Sequence, residues 1–203
     1  MAASLATRES ILRAAETVAI RDGGNSLTLD RVAREAGVSK GGLLYHFSSK
    51  EELLRGLVRR LIDHFDQDLA AYFEQDAEAP PGRRTRAFVK ATVHGAWDER
   101  AGLGPDRLNA FVALLAAFAT DPRLLEPLRE RYMEFQRQIE EDGIDPARAT
   151  VARLAADGLW LHELLGLAPL DAKVRDEVIE EMMRLTRRPQ TDKAKRRSRT
   201  TAR

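Results

Sequence analysis

The sequence predicts an all-α fold, and three features of the chain support this prediction. Apolar residues recur every three or four positions, as on one face of a helix, for example from Ile11 to Ala19. No segment keeps up the apolar–polar alternation of a half-buried β-strand. Glycine and proline residues, which end helices, separate the periodic segments. The chain is therefore expected to be a series of helices joined by short turns.

Boundary signals define the first four predicted helices. Thr28, Ser39 and Ser49 are good N-cap residues, and Ser49 with Glu52 forms a capping box. Glycines at 23–24 and at 37 end the helices before them. These signals predict helices near 11–19, at 29–36, at 40–47 and from 51 to about 75. The fourth helix would be a rod roughly 37 Å long.

Five more helices are predicted in the rest of the chain. They lie at about 84–98, 107–120, 122–141, 146–166 and 171–187, and turns rich in glycine, proline and aspartate separate them. The last residues are too charged and too poor in apolar side chains to pack. The predicted domains are a three-helix unit at 1–50, a larger helical unit at 51–188 and a basic disordered tail at 189–203.

Composition narrows the class of protein. The chain has 203 residues, of which 43% are hydrophobic and 32% charged, as in an ordinary core-forming protein. It has no cysteine, which excludes disulfide frameworks and thiolate zinc sites and fits a reducing compartment. The longest apolar run, 110–119, is far shorter than the roughly 20 residues that a membrane span needs. The cytoplasm is therefore the predicted location, with no membrane contact.

Charge is distributed unevenly along the chain, although the net charge is only +1. Residues 1–60 hold 10 Lys and Arg against 7 Asp and Glu, and residues 61–186 hold 15 against 24. Residues 187–203 hold 8 against 1. A basic start and a basic tail favour contact with a polyanion at the two ends, although a charged segment can equally be a solvated surface.

An enzyme is the least favoured class of protein. The segment 37–41 matches the Gly-x-Ser-x-Gly sequence of hydrolase nucleophile elbows, but such an elbow needs a strand before the serine, and a predicted helix stands there. The four histidines lie far apart, which argues against a metal site. No phosphate-binding loop is present. We therefore predict no catalytic activity, no cofactor and no bound metal.

The predicted third helix contains two adjacent glycines. On a helix, Leu43 and Phe47 point to one side, and Gly41, Gly42 and Tyr45 point to the opposite side. A bare outer face lets a helix approach another surface closely, although each glycine costs about 1 kcal/mol relative to alanine. With the preceding helix it forms a helix-turn-helix, the unit whose second helix enters the major groove of DNA. We therefore predict that this face binds double-stranded DNA.

Residues 8–55 resemble the N-terminal domain of the TetR (tetracycline repressor) family of bacterial transcription regulators. The resemblance rests on Leu-Thr-x-x-x-Val-Ala-x-x-Ala-Gly-Val-Ser at 27–39 and on Tyr-His-Phe-x-Ser-Lys-Glu-x-Leu at 45–53. Leu44 stands where the family usually has a tyrosine. The resemblance implies DNA contacts at Thr28, Lys40, Gly41, Gly42, Tyr45, His46 and Lys50. Ser39 joins this set because the amides of the helix that it caps could bind the sugar-phosphate backbone.

The same resemblance implies a homodimer formed by the last two helices. The residues assigned to the dimer interface are Ala155, Leu159, His162, Val178, Met182 and Leu185. Two helices from each subunit would then form a four-helix bundle. Alternatively, these apolar residues pack only within one subunit.

A small-molecule site is predicted in the body because most of the large aromatic residues lie there. The candidates are Phe88, His94, Trp97, Phe111, Phe118, Tyr132 and Trp160, with His94 and Trp97 one helical turn apart as the best pair. The alternative is that these aromatics form plain core. The acidic body could favour a cationic ligand, although its charge could also be solvated surface.

The predicted function is a dimeric TetR-like repressor that binds a palindromic operator and is released by a small-molecule effector of unknown identity. In the alternative, the helix-turn-helix regulator has no small ligand and a protein partner controls it. The long fourth helix would carry a change in packing from the body to the DNA-binding head. The basic tail could add phosphate contacts or serve only as a solubilising end.

Overall fold

The computed structural model describes residues 2–22, 27–78, 80–94, 117–119 and 121–187. Every regular element in these residues is helical, which confirms the predicted fold class. The α-helices are α1 (Ala2–Asp22), α2 (Leu29–Glu35), α3 (Lys40–His46), α4 (Lys50–Gln75), α5 (Arg83–His94), α6 (Glu126–Glu140), α7 (Pro146–Leu165) and α8 (Ala172–Leu185).

Most described helix boundaries lie within two residues of the predictions, and two places differ more clearly. Helix α1 already begins at Ala2, ahead of its apolar stripe. The helix predicted at 122–141 starts as a 3₁₀ turn, Pro122–Leu125, which Asp121 caps before α6 begins. Residues 117–119 are helical, and the rest of the helix predicted at 107–120 lies outside the described residues, as do 95–98.

The predicted N-caps are confirmed, and they fix the three-helix geometry around α3. The hydroxyl groups of Thr28, Ser39 and Ser49 accept the backbone N–H groups of Arg31, Gly42 and Glu52, at 3.4, 3.0 and 3.1 Å respectively. Gly37 ends α2 with a φ of 67°, in the left-handed region that glycine adopts without strain. Helices α2 and α3 therefore each begin after a side chain that caps the helix, and α2 ends at a glycine with a positive φ.

One apolar core holds the N-terminal helices together. It contains buried residues of α1, α2, α3 and the first turns of α4, among them Ile11, Val32, Leu43 and Leu57. Phe118 and Leu124 join the same core from the second half of the chain. The N-terminal unit is therefore packed directly against the body rather than hanging from a linker.

The body has two further clusters. One joins α5, α7 and α8, and the other is rich in aromatic rings and joins α4, α5, α6 and the start of α7. At the far end of α4, the buried Arg86 guanidinium donates to Asp76 at 2.7–2.8 Å and to the Pro81 carbonyl at 2.9 Å. Arg187 pairs with Glu78 nearby at 2.7 Å, so the end of α8 is fixed at that same end of the molecule.

Candidate nucleic-acid interface and ligand cavity

Helix α3 presents the two faces that its sequence predicts. The Leu43 side chain is fully buried and that of Phe47 is 2% exposed, whereas Tyr45 is 83% exposed and Gly41 is also exposed. The ring of His46 is half-buried and contacts the Tyr45 ring edge-on, with centroids 5.2 Å apart. The helix is thus anchored by its apolar side and leaves an open outer side.

The two glycines of α3 differ in their surroundings. A Cβ atom added at Gly41 would have no neighbour within 4 Å. At Gly42 it would lie 3.2 Å from the Ser39 hydroxyl that caps the helix. The nearby Ser39 hydroxyl therefore explains the glycine at position 42. No contact in the described part of the chain explains the glycine at position 41.

Lys40, the first residue of α3, is already engaged in a weak surface pair. The Lys40 ammonium lies 3.0 Å from Asp30, and both side chains are more than half exposed. Such exposed pairs contribute roughly 0–1 kcal/mol, so a phosphate can compete for the lysine. Glu51 lies beside Lys50 at the start of α4. Hydrogen bonds from the Glu51 backbone amide and from the Ser49 hydroxyl lower the pKa of the Glu51 carboxyl, so a carboxylate of the chain itself lies at the N-terminus of this helix.

The residues predicted to contact DNA thus fall on one stretch of structure. Thr28 precedes α2 and is exposed, the segment from Ser39 to His46 is α3 with its cap, and Lys50 opens α4. A contact that the sequence did not predict joins α1 to the end of α3, since the guanidinium carbon of Arg8 lies 5.0 Å from the centroid of the Phe47 ring. No local signal links these two residues because they are far apart in the chain.

Ion pairs hold the end of α1 against α2. Arg21 donates to Asp22 and to Glu35 at 3.0–3.3 Å, and Arg31 lies 3.4 Å from Asp22. The hydrogen bond from Arg21 lowers the pKa of the Asp22 carboxyl below its ordinary value. These contacts orient the first helix of the helix-turn-helix.

A cavity of about 130 Å³ lies between α4, α5, α6 and α7. Three of the residues predicted to bind ligand line it, namely Phe118, Tyr132 and Trp160. The Tyr132 hydroxyl donates to Asp157 at 3.2 Å, and Arg153 donates to the other carboxylate oxygen at 2.8 Å. Burial raises the pKa of Asp157 to about 6 and also raises the pKa of Tyr132.

The other predicted ligand-binding residues lie elsewhere. Phe88 packs beside the cavity, with its ring 5.4–5.5 Å from those of Phe65 and Phe135. His94 lies at the end of α5, 6.5 Å from the Tyr72 ring, and lines a separate open groove next to α7 and α8. Trp97 and Phe111 lie outside the described residues.

The structure places part of the predicted dimer interface inside the subunit. Leu159 and Met182 are 8% and 2% exposed and pack against Val89 and Val93 of α5. Ala155, Val178 and Leu185 are half-buried on the same cluster, and only His162 of the predicted set is exposed. Leu159 and Met182 thus already cover α5 within the subunit, and the pairing of the predicted set with a second subunit stays a prediction.

A different stripe of α7 is open. Its outward residues are Val151, Leu154, Gly158, Leu161 and Leu165, and all four large side chains are exposed. Their spacing of three and four residues is visible in the sequence and could have been recognised there.

The local structure around Ser39 does not fit a nucleophile elbow. Ser39 follows helix α2, and its hydroxyl is used to cap α3. Among the residues with described positions, no group of His, Asp and Glu could hold a metal ion. Within the same ranges, no helix is long and apolar enough to cross a membrane.

Comparison with known proteins decides the family. The profile described as "Bacterial regulatory proteins, tetR family" matches residues 11–57, and "Tetracyclin repressor-like, C-terminal domain" matches residues 82–187, just over half of the chain. The chain belongs to the TetR family. As a TetR-family transcriptional regulator, it combines a helix-turn-helix with a C-terminal ligand-binding domain. The family consists of regulators rather than enzymes.

Individual relatives of this TetR-family chain are distant. The HTH-type transcriptional regulator BetI 2 of Chromohalobacter salexigens is 28% identical over 174 residues, which is 81% of each chain. A transcriptional regulator from Rhodococcus sp. Rha1 superposes with a TM-score of 0.69 at 23% identity, over 88% of this chain and 95% of that one. The multidrug binding protein EbrR, solved with ethidium, gives 0.60 at 26% identity, over 88% and 97%.

Proposed function

We propose that this TetR-family regulator is a dimeric repressor that reads a palindromic operator with α3 and releases it when a small molecule fills the cavity. The observation that carries the proposal is the open outer face of α3, bare at Gly41 and marked by the exposed Tyr45. Its DNA-binding domain is taken as residues 1–50 and its ligand-binding and dimerisation domain as 51–188. The cytoplasm, where bacterial DNA lies, remains the predicted compartment.

The DNA contacts divide into two kinds. Lys40 and Lys50 supply charge for phosphates, which fixes the position of the helix on the duplex. Tyr45 and His46 lie toward the end of α3 and can reach base edges or phosphates. At Gly41 a backbone without side chain can approach the DNA more closely than any other residue would allow. Thr28, Ser39 and Gly42 support this arrangement from the caps and turns.

Two copies of the chain are proposed to pair through the open stripe of α7. The exposed leucines 154, 161 and 165 are spaced like a seam between helices, and Gly158 lets the two backbones approach there. A two-fold axis would place the two α3 helices about 34–36 Å apart, one turn of DNA, which is why the operator should be palindromic.

The cavity is proposed as the effector site because its wall is shared with the DNA-binding head. Val58 and Phe118 line the cavity and also belong to the core that holds α1, α2 and α3. A ligand that displaces either side chain would repack that core and change the angle of the head. The related EbrR, which was solved with ethidium, supports a small-molecule role for this domain.

Genomic DNA selection tests the DNA-binding part. We expect the purified protein to enrich a few fragments that share a palindrome, and Lys40→Ala and Tyr45→Ala to lose that enrichment while their unfolding midpoints stay unchanged. Met133→Ala, which changes another exposed side chain, on α6, is the matched control. Equal enrichment by the two α3 variants would refute the assignment.

Titration of the selected operator complex with small molecules tests the effector part. A compound that binds the cavity should dissociate the complex, and its effect should disappear in Phe118→Leu, which alters the shared wall. If only a protein from the cell dissociates the complex, the alternative of control by a protein partner replaces the effector.

A further inference from the structure

The end of α8 is fixed at a defined place in the body. Arg148 of α7 donates to the backbone carbonyl groups of residues 184, 185 and 187 at 3.0–3.4 Å. The Arg187 guanidinium also pairs with the Glu78 carboxylate at 2.7 Å. The chain therefore continues beyond Arg187 from a point that two other segments of the body hold in place.

This point lies at the end of α4 that is remote from α3. Glu78 follows the last residue of α4 by three positions, and the buried pair of Asp76 and Arg86 holds the same turn. Helix α3 lies at the opposite end, because Lys50 opens α4 shortly after α3 ends. Helix α4 has 26 residues, so it is a rod of about 39 Å between the two places.

The chain beyond Arg187 has the composition of a segment that binds phosphates. Residues 188–203 lie outside the described residues, and their sequence holds six Lys and Arg and no Asp or Glu between 193 and 203. The same stretch has no aromatic residue. Cations without aromatic rings contact the phosphate backbone and do not stack on bases, so they bind nucleic acid without regard to its sequence.

Most of these cations are too close to Arg187 along the chain to contact DNA that is bound at α3. Lys193 and Arg197, the first and last of the central four, lie six and ten residues beyond Arg187. A fully extended chain spans at most about 3.6 Å per residue, which gives limits of about 22 Å and about 36 Å. Even the last of the four would have to run straight along α4 to approach the level of α3, and the outer face of α3 points to a duplex beyond that level.

The acids of the body near this point already have partners. Asp76 pairs with Arg86 and Glu78 with Arg187, each at 2.7 Å. Asp142 accepts two backbone amides at the start of α5 at 2.7 and 3.1 Å. These carboxylates are therefore engaged within the described structure, which favours a partner outside the subunit for the cations that follow.

We propose that the cations between 193 and 203 bind the phosphates of a second stretch of duplex DNA, separate from the stretch that α3 reads. One regulator would then bridge two DNA segments, one at each end of α4. The second segment lies on another DNA molecule or far along the same one, since both present the same phosphates. The proposal goes beyond the proposed function and needs neither an effector nor a palindromic operator.

A bridging assay with the full-length protein tests the proposal. Beads carry the genomic fragment that the protein selects, and a labelled duplex of unrelated sequence is added with the protein. The tail variant replaces the central four cations by glutamine, namely Lys193→Gln, Lys195→Gln, Arg196→Gln and Arg197→Gln. We expect it to retain about tenfold less labelled duplex than the wild type, while the amount of protein on the beads stays the same.

Salt dependence gives a second readout. Each phosphate contact steepens the fall of log affinity with log salt concentration by about 0.9. Retention of the labelled duplex by the wild type should therefore have a slope steeper than that of the tail variant by about 3–4.

The matched control removes the same charge from the surface of the body. It replaces four cations that are each more than half exposed, namely Arg129→Gln, Arg137→Gln, Lys173→Gln and Arg184→Gln. This variant should retain the labelled duplex like the wild type. Equal unfolding midpoints of the three proteins show that the comparison concerns folded protein.

Three results would overturn the proposal. The tail variant could retain as much labelled duplex as the wild type. It could instead lose its own binding to the beads, which would place the cations on the duplex at α3. A single-stranded RNA could displace the labelled duplex at a lower concentration than unlabelled duplex does, which would make RNA the partner.

The proposed function can fail separately. If the protein selected no genomic fragment, the operator-reading role of α3 would be refuted. The difference in salt slope between the wild type and the tail variant on the unrelated duplex alone would still test the cations beyond Arg187.

Discussion

Two glycines inside helices show how individual residues divide between folding and binding. A Cβ at Gly56 of α4 would lie 2.8 Å from the Phe47 ring and 3.0 Å from Leu12, so the packing of this chain requires a bare position there. A Cβ at Gly41 would meet nothing. Packing within the protein explains the glycine at position 56, and we propose that the close approach of DNA explains the glycine at position 41.

This contrast predicts that a substitution at Gly41 raises the stability of the folded protein and lowers its affinity for DNA. Gly41→Ala should stabilise the folded protein by about 0.5–1 kcal/mol, because alanine is the better helix former. The same variant should weaken operator binding about tenfold or more, because its methyl group stands on the DNA-facing side. Urea unfolding and a gel shift with the selected fragment measure the two effects.

Gly56→Ala is the reference for that experiment. It should destabilise the protein by about 1–3 kcal/mol, because the added methyl group overpacks against Phe47. If Gly41→Ala binds DNA as tightly as the wild type, the bare face of α3 is not at the interface.

Asp157 gives a prediction about pH. Burial raises the pKa of this carboxyl to about 6, above its unfolded value, so its protonated form favours the folded state. The stabilisation that protonated Asp157 gives the folded state is fully present below about pH 4 and is lost as the pH rises through about 6. Relative to Asp157→Asn, the wild type should therefore gain about 1–3 kcal/mol of stability between about pH 7.5 and pH 4.5. Urea unfolding of both proteins at the two pH values measures it, and a constant difference would contradict it.

At the residue scale, sequence patterns were sufficient where the cause is local. The caps at Thr28, Ser39 and Ser49 depend on backbone geometry a few residues away, and all three are confirmed. The pairing of Asp157 with Tyr132 was not predictable, because it joins two helices across a turn whose path the sequence does not reveal.

Among the elements, α7 is apolar on two sides. Its inward side carries Ala152, Ala156 and Leu159, which pack on α5, and its outward side carries exposed Leu154 and Leu161. A helix that is covered by its own subunit on one side and apolar on the other is expected to meet a second copy.

A charge on the outward side should separate the dimer. Leu161 is 40% exposed, so Leu161→Glu should change the stability of a single subunit by only about 0.5 kcal/mol. In the dimer the same charge would be buried without a partner, and the variant should be monomeric in sedimentation at micromolar concentration.

Met133→Glu on α6 is the matched control, since Met133 is 65% exposed and lies off the stripe. It should remain dimeric. A Leu161→Glu protein that sediments like the wild type would place the dimer interface elsewhere.

The packing of predicted interface residues within the subunit could not be read from the sequence. Periodicity identifies an apolar face but not what covers it, and α7 has two such faces. Leu159 is predicted at the interface, and only the tertiary contact to Val89 and Val93 shows that it also packs against α5 within the subunit.

For the whole molecule, α4 is the element that joins the two functions. Toward the middle of α4, Arg60 pairs with Glu16 of α1 at 2.8 Å, and further along Asp66 accepts three hydrogen bonds from Arg131 of α6. The α4 residues that line the cavity lie between Arg60 and Asp66 in the chain or within two residues of them. A ligand in the proposed effector site would therefore act on the segment of α4 that lies between its attachment to the head and its attachment to the body.

The sequence predicted the described helices, their order and the exposed side of α3, because these follow from periodicity and capping. It did not predict that Phe118 belongs to the core of the head, or that His94 lies away from the cavity. Such placements depend on how helices distant in sequence pack, and no local pattern records them.

The most direct measurement is amide hydrogen exchange of the full-length protein, free and bound to a genomic fragment that it selects. If α3 reads DNA, exchange should slow in the segment 39–50, which holds α3 and the start of α4, and should stay unchanged in α5. Unchanged exchange at 39–50, with protection on another surface, would contradict the account.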